Sequence, residues 1–165
     1  MNTIVIQSSQ GINTSVTELF KHIAGRDLLT VFDNIPFVQG FAPISQSQIN
    51  RSLGIVRIIF FEDGNSARHI FLTFIADWSF SVQIDNFTSM WLSPLSSIEY
   101  EYTFFDDAEN GAIVSASYRF NMRSKLEMFL FKLLAGNFMQ KHIDIFLSRM
   151  VQSSDQYKIV KDWNY

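Results

Sequence analysis

The stretch "GIVRIIFFEDG", residues 54–64, decides how this chain is read. Its β-branched and aromatic residues predict a strand, and Asp63-Gly64 predicts the turn that ends it. Arg57 sits in the middle of that strand. Alternate residues of a strand point to opposite faces, so Arg57 shares a face with Ile59 and Phe61, while Val56, Ile58 and Phe60 share the other. Both faces are apolar, and alternation alone does not choose between them. A strand arginine ordinarily lies outward, with its stem covering apolar surface. An inward arginine needs an anion or several acceptors around it.

Strand signals extend from residue 36 to about 122. Candidate strands cover 36–45, 53–62, 67–77, 79–87, 96–106 and 112–122. "EDGNS" and "DDAENG" supply turn chemistry, and the short connections predict antiparallel neighbours. Upstream, "TIVIQSSQGI" (3–12) reads as a first strand. Ser15 and Glu18 then match a capping box that opens a helix with Val16, Leu19, Phe20 and Ile23 on one face. "RDLLTVFDN" reads as a second short helix. Downstream, Ser124 with Glu127 predicts the cap of a helix from 125 to about 152. Its apolar stripe changes direction at Ala135-Gly136-Asn137, where glycine weakens the helix by roughly 1 kcal/mol relative to alanine, so a bend is expected there. Residues 1–152 are expected to form one domain and 153–165 a C-terminal tail.

This order resembles the START-like, or Bet v 1-like (SRPBCC), superfamily, including its polyketide cyclase/dehydrase and lipid-transport group. The resemblance covers about residues 3–152. It rests on Gly54, Val56, Arg57, Asp63 and Gly64, similar to a strand and turn of those proteins, and on "SASYRFNMRSKLEMFLFKLL" (115–134), similar to their last strand running into the long helix. The sequence departs at "ARHI", where Arg68 stands near a position usually acidic in hormone-receptor-type relatives. The resemblance implies an α+β helix-grip fold: a seven-stranded antiparallel sheet curved around a long C-terminal helix, with two short helices after strand 1. It also implies that Arg57, Ile59 and Phe61 look into a cavity between sheet and helix.

Other faces follow from the cost of burying unpaired carboxylates. Glu99 and Glu101 should lie outward, which turns Ile98, Tyr100, Tyr102 and Phe104 inward. Phe80, Val82 and Ile84 are expected inward, as are Val114, Ala116, Tyr118 and Phe120. In "ARHIFLTF" the inward set is taken as Ile70, Leu72 and Phe74, because His69 and Thr73 share the other face. Phe129 and Leu133 of the long helix complete the expected ligand-lining set.

Composition narrows the function. The 165 residues are 47% hydrophobic and include 17 phenylalanines, enough to fill a thick core or line an apolar cavity. The net charge of −3 gives no basic excess for nucleic acid. The absence of cysteine removes disulfides, thiol nucleophiles and Cys-ligated metal. The three histidines are scattered without metal-ligand spacing, and His22 and His142 read as solvated. No nucleophile elbow or phosphate-binding glycine loop occurs. No catalytic residue, metal or cofactor is expected. The start of the sequence has no signal-peptide pattern, and "KLEMFLFKLLAGNFM" is too short and too charged to span a bilayer. A soluble, cytoplasmic protein without integral membrane association is expected. Three readings follow in order: a non-catalytic binder of a small hydrophobic molecule (lipid, isoprenoid or polyketide-like), an enzyme like the polyketide aromatase/cyclases, and a ligand-free interaction module.

Overall fold

The computed structural model describes residues 2–33, 53–109 and 111–162, and for 154–162 the backbone alone. Alternation of β-branched and aromatic residues produces six described strands: β1 (Thr3–Ile12), β2 (Val56–Phe60), β3 (Ser66–Ile75), β4 (Ser79–Asp85), β5 (Leu95–Asp107) and β6 (Gly111–Met122). They form one antiparallel sheet in the order β1-β6-β5-β4-β3-β2. The strand expected at 36–45 lies outside the described residues.

Helix α1 (Val16–Ala24) begins as its sequence directs: the Ser15 hydroxyl accepts the Glu18 amide, and Leu19, Phe20 and Ile23 are buried. The second short helix is a 3-10 turn, Leu28–Phe32, started by the Asp27 carboxylate on the Leu29 amide. Another 3-10 turn, Met90–Leu92, precedes β5. The long C-terminal helix is divided into α2 (Lys125–Leu134) and α3 (Gly136–Asp162). The break falls at Ala135, whose φ of −123° leaves the helical range. The Ala135 and Met139 amides still reach carbonyls four residues back, so the helix bends without losing these bonds. Helix α3 runs on past residue 152 to Asp162.

The inner face of the sheet carries the core. Phe80, Val82 and Ile84 of β4, Ile98, Tyr100, Tyr102 and Phe104 of β5, and Val114, Ala116, Tyr118 and Phe120 of β6 are all buried. Helix α3 covers them with Met139, Ile143, Leu147 and Met150, which recur at helical spacing. The aromatic excess packs as a continuous layer: Phe20 meets Phe74, Phe80 and Phe104 edge-on, and Phe80 stacks on Tyr102 at 5.1 Å. Edge-to-face and offset contacts of this kind add to the gain from burial.

Strand β3 corrects one expectation. Ala67, His69 and Phe71 face inward, and Leu72 and Ile70 do not; Leu72 is exposed. The pairing steps from Phe71↔Val82 to Thr73↔Ser81, so Leu72 is the extra residue of a bulge. A bulge reverses the alternation, which returns Phe74 to the core side and moves Leu72 off it. Outside, Arg68 stands opposite Asp85 in register and holds its carboxylate through two contacts of 2.6 Å. The acid facing Arg68 is therefore supplied by the neighbouring strand.

Candidate functional site: two cavities on the inner face

A cavity of about 240 Å³ lies between the sheet and α2. Its floor is Leu95, Ile98 and Phe120, and its helical wall is Leu130, Phe131, Leu134 and Ala135. Trp91, Leu92 and Pro94 form a third side, and Phe32 and Met139 close the inner end. Trp91, Leu130 and Leu134 are exposed, so the cavity opens past them. An apolar cavity of about 150 Å³ suffices to admit benzene; this one takes a larger molecule. Glu127 is its charged member, and Glu127 Oε2 is buried without a hydrogen-bond partner among the described residues. A buried, unmatched acceptor is costly, and a hydroxyl or amine brought by a ligand would satisfy it.

A second, smaller cavity of about 40 Å³, room for little more than a water molecule, lies under α1 and the Leu28–Phe32 turn. Arg57, His69 and Tyr100 enter it from the sheet, and Arg26 and Asp27 from the opposite side. Arg57 is half-buried and stands directly across from His69 in the β2–β3 pairing. Ile59 and Phe61, on its face, are buried. Burial, with the Arg57 charge second, holds the His69 imidazole down to about 4, so it is neutral at physiological pH. Its Nε2 lies 3.5 Å from the Tyr100 hydroxyl, a long contact, and among the described residues its Nδ1 finds no partner beyond its own residue. Burial pushes the Tyr100 phenol well up, so it stays protonated and can donate.

The structure thus distributes the expected lining residues. Phe120 borders the larger cavity, and Arg57, Phe80 and Tyr100 border the smaller one. Tyr102 and Tyr118 sit in the packed layer, their hydroxyls bonded to each other, with Val82 buried beside them in the same sheet. Phe129 and Leu133 are corrected: they are 62% and 69% exposed and face away from both cavities. The ring of Phe131 lies 5.3 Å from that of Phe120 and turns the 128–131–135 side of α2 to the sheet, which rolls 126–129–130–133 outward. Leu72 stays outside through the β3 bulge. His69 was missed because the bulge was not visible in its strand. Glu127 was assigned only a capping role, which its amide does fill by donating to the Ser124 hydroxyl. His22 and His142 are also corrected: His22 bonds Ser153 at 3.2 Å and His142 Nε2 donates to the Val31 carbonyl at 2.7 Å, so both tie helices together.

Solved structures share this arrangement over nearly the full chain. A Staphylococcus aureus protein of unknown function superposes with a TM-score of 0.65 at 15% identity, covering 94% of this chain and 96% of its own. Norcoclaurine synthase from Thalictrum flavum, a point mutant holding a transition-state analogue, gives 0.61 at 12%, again covering 94% and 96%. Ara h 8.0201 gives 0.50 at 14%, covering 89% and 99%. The chain has the START-like, Bet v 1-like helix-grip fold. No protein-family model matches it, and no curated protein matches it in sequence. In this chain the apolar cavity lies beside the bend at Ala135, which is one of its lining residues. Among the described residues no helix is long and apolar enough to cross a membrane, and no group of acidic, histidine or cysteine side chains could hold a metal.

Proposed function

We propose that this helix-grip protein binds a small hydrophobic molecule, of lipid, isoprenoid or polyketide type, in the 240 Å³ cavity between the sheet and α2. The observation that carries this reading is the pairing of an apolar, open cavity with the unmatched Oε2 of Glu127. Ligand sites are mostly apolar with a few placed polar groups. The favoured ligand is therefore an apolar body bearing one hydrogen-bond donor. Mass spectrometry of molecules extracted from the native protein should find such a compound. Titration with the fluorescent fatty alcohol cis-parinaryl alcohol, whose hydroxyl can donate to Glu127, in buffer without vesicles, should saturate at one per chain. Ala135→Leu, which adds volume inside the cavity, should weaken it about tenfold or more, the scale of losing a well-fitted apolar contact. No extracted molecule and no saturable titration would sink the reading.

A second reading, an enzyme like the aromatase/cyclases, draws on the neutral His69 set between Arg57 and Tyr100. The cavity they line admits little more than one oxygen atom, so the trio would hold a single carbonyl oxygen, and move a proton to or from it, with the body of the substrate outside. It predicts that Arg57→Ala and His69→Gln abolish turnover of a polyketide-like substrate while leaving binding of the fatty alcohol in the larger cavity intact. The binding reading needs neither residue.

A further inference from the structure

We propose that α2 is a peripheral docking element for an anionic membrane surface, with the mouth of the 240 Å³ cavity at its edge. The helix runs ten residues and buries none of them. Leu126, Phe129, Leu130 and Leu133 recur at the i, i+3, i+4, i+7 spacing of one helical face, yet that face is turned to solvent, with Leu134 beside it. Met90, the most exposed of these apolar residues at 81%, and Trp91 extend the patch across the mouth. A contiguous apolar surface of this kind marks an interaction site.

Charge selects the partner. Between residues 123 and 141 the chain carries Arg123, Lys125, Lys132 and Lys141, all exposed, against a single carboxylate, Glu127, which is turned to the cavity. These four of the chain's 13 lysines and arginines, against one carboxylate, give the segment a net charge of +3, whereas the whole chain carries −3. Lys125 and Lys132 lie a full seven residues apart, on the border of the stripe opposite the cavity-lining Leu134. An apolar stripe bordered by lysine, with a tryptophan at its rim, suits the boundary between acyl chains and anionic headgroups. A second copy of the chain fits less well, because a two-fold contact through this face would set its cations against one another. Leu130 and Leu134 belong to both the patch and the cavity wall, so an apolar molecule leaving the bilayer meets the cavity without crossing water.

The test is flotation of the full chain with vesicles of phosphatidylcholine alone and of phosphatidylcholine with phosphatidylserine. Binding should favour the phosphatidylserine vesicles and weaken with salt. A blue shift of tryptophan emission on binding should vanish in Trp91→Phe. The double variant Phe129→Glu with Leu133→Glu should bind about tenfold less or worse, with an unchanged melting temperature, since neither side chain is buried. Lys125→Glu with Lys132→Glu should lose the preference for phosphatidylserine and keep the weaker binding to neutral vesicles. Absence of flotation with either vesicle, or equal flotation by both double variants and the wild type, overturns the proposal. So does sedimentation showing a wild-type dimer that Leu133→Glu converts to monomer, which would assign the face to a second copy. The cis-parinaryl alcohol titration is run without vesicles, so the ligand reading and the docking proposal stand or fall separately.

Discussion

The hydroxyls of Tyr102 and Tyr118 meet 2.5 Å apart in the interior, each the other's partner, on neighbouring strands β5 and β6. Burial pushes both phenols up, so the contact is a neutral hydrogen bond. Removing one partner leaves the other buried and unmatched. Tyr118→Phe alone is expected to cost about 1–3 kcal/mol. Tyr102→Phe with Tyr118→Phe should cost clearly less than the sum of the single changes. Urea unfolding of the three variants measures the coupling; strict additivity would show the bond contributes nothing of its own.

His69 makes stability depend on pH. Its folded-state value is lowered from 6.5 to about 4 by burial and then by Arg57. Above pH 6.5 the imidazole is neutral folded or unfolded, and its contribution is complete. Below that, the unfolded chain takes up a proton that the folded chain refuses until about pH 4, so stability falls through this window, by about 3 kcal/mol at most. His69→Gln should flatten part of the decline between pH 7 and 4.5 in denaturant titrations. A decline equal to wild type would show that the ring is not excluded from protonation.

Gly111 opens β6 at φ +79°, and a Cβ there would come within 2.7 Å of the Ile12 carbonyl oxygen and 2.9 Å of Asn13 Cα. Both contacts are backbone, so nothing gives way easily. Gly111→Ala is expected to destabilise by about 1–3 kcal/mol through conformational strain. Thermal melting checks this, and a variant as stable as wild type would mean that the turn has another conformation.

Gly136 behaves in the opposite way. Among the described residues a Cβ there meets Lys132 Cγ alone, at an ordinary 3.8 Å, and the residue starts α3 without a positive φ. Gly136→Ala should raise stability by up to about 1 kcal/mol, by helix propensity and by reducing unfolded-state freedom. A lower melting temperature would show that the bend at Ala135 depends on the glycine.

The strands β4, β5 and β6 were readable because polar and apolar residues alternate strictly over 80–85, 98–104 and 114–121: Glu99 and Glu101 on one side require Tyr100 and Tyr102 on the other. The Ser15 and Ser124 caps were equally plain, each followed by glutamate at the third position. The β3 phase was not readable, because a single extra residue, Leu72, inverts everything before it and no residue type announces a bulge. The same slip hid His69. The roll of α2 was hidden for a different reason. Its segment is apolar on most sides, so spacing defines a stripe without saying whether the stripe faces Phe120 or solvent. The larger cavity also depends on Trp91, Leu92 and Pro94, whose short turn meets the distant Leu130 and Leu134 only in three dimensions.

The pairing of β1 with β6 has a consequence for how the chain assembles. Thr3 lies opposite Asn121 and donates to its side chain across 118 positions of sequence. The β5–β6 hairpin, by contrast, pairs Asp107 with Gly111 and extends outward residue by residue. Closing a short loop is faster than closing a long one. On the ribosome β1 emerges before the other described strands, yet its place in the sheet does not exist until β6 has been made and zipped onto β5. Until then Ile4 and Ile6 lack the strand that covers them, and an unpaired apolar strand of this kind is exposed to aggregation.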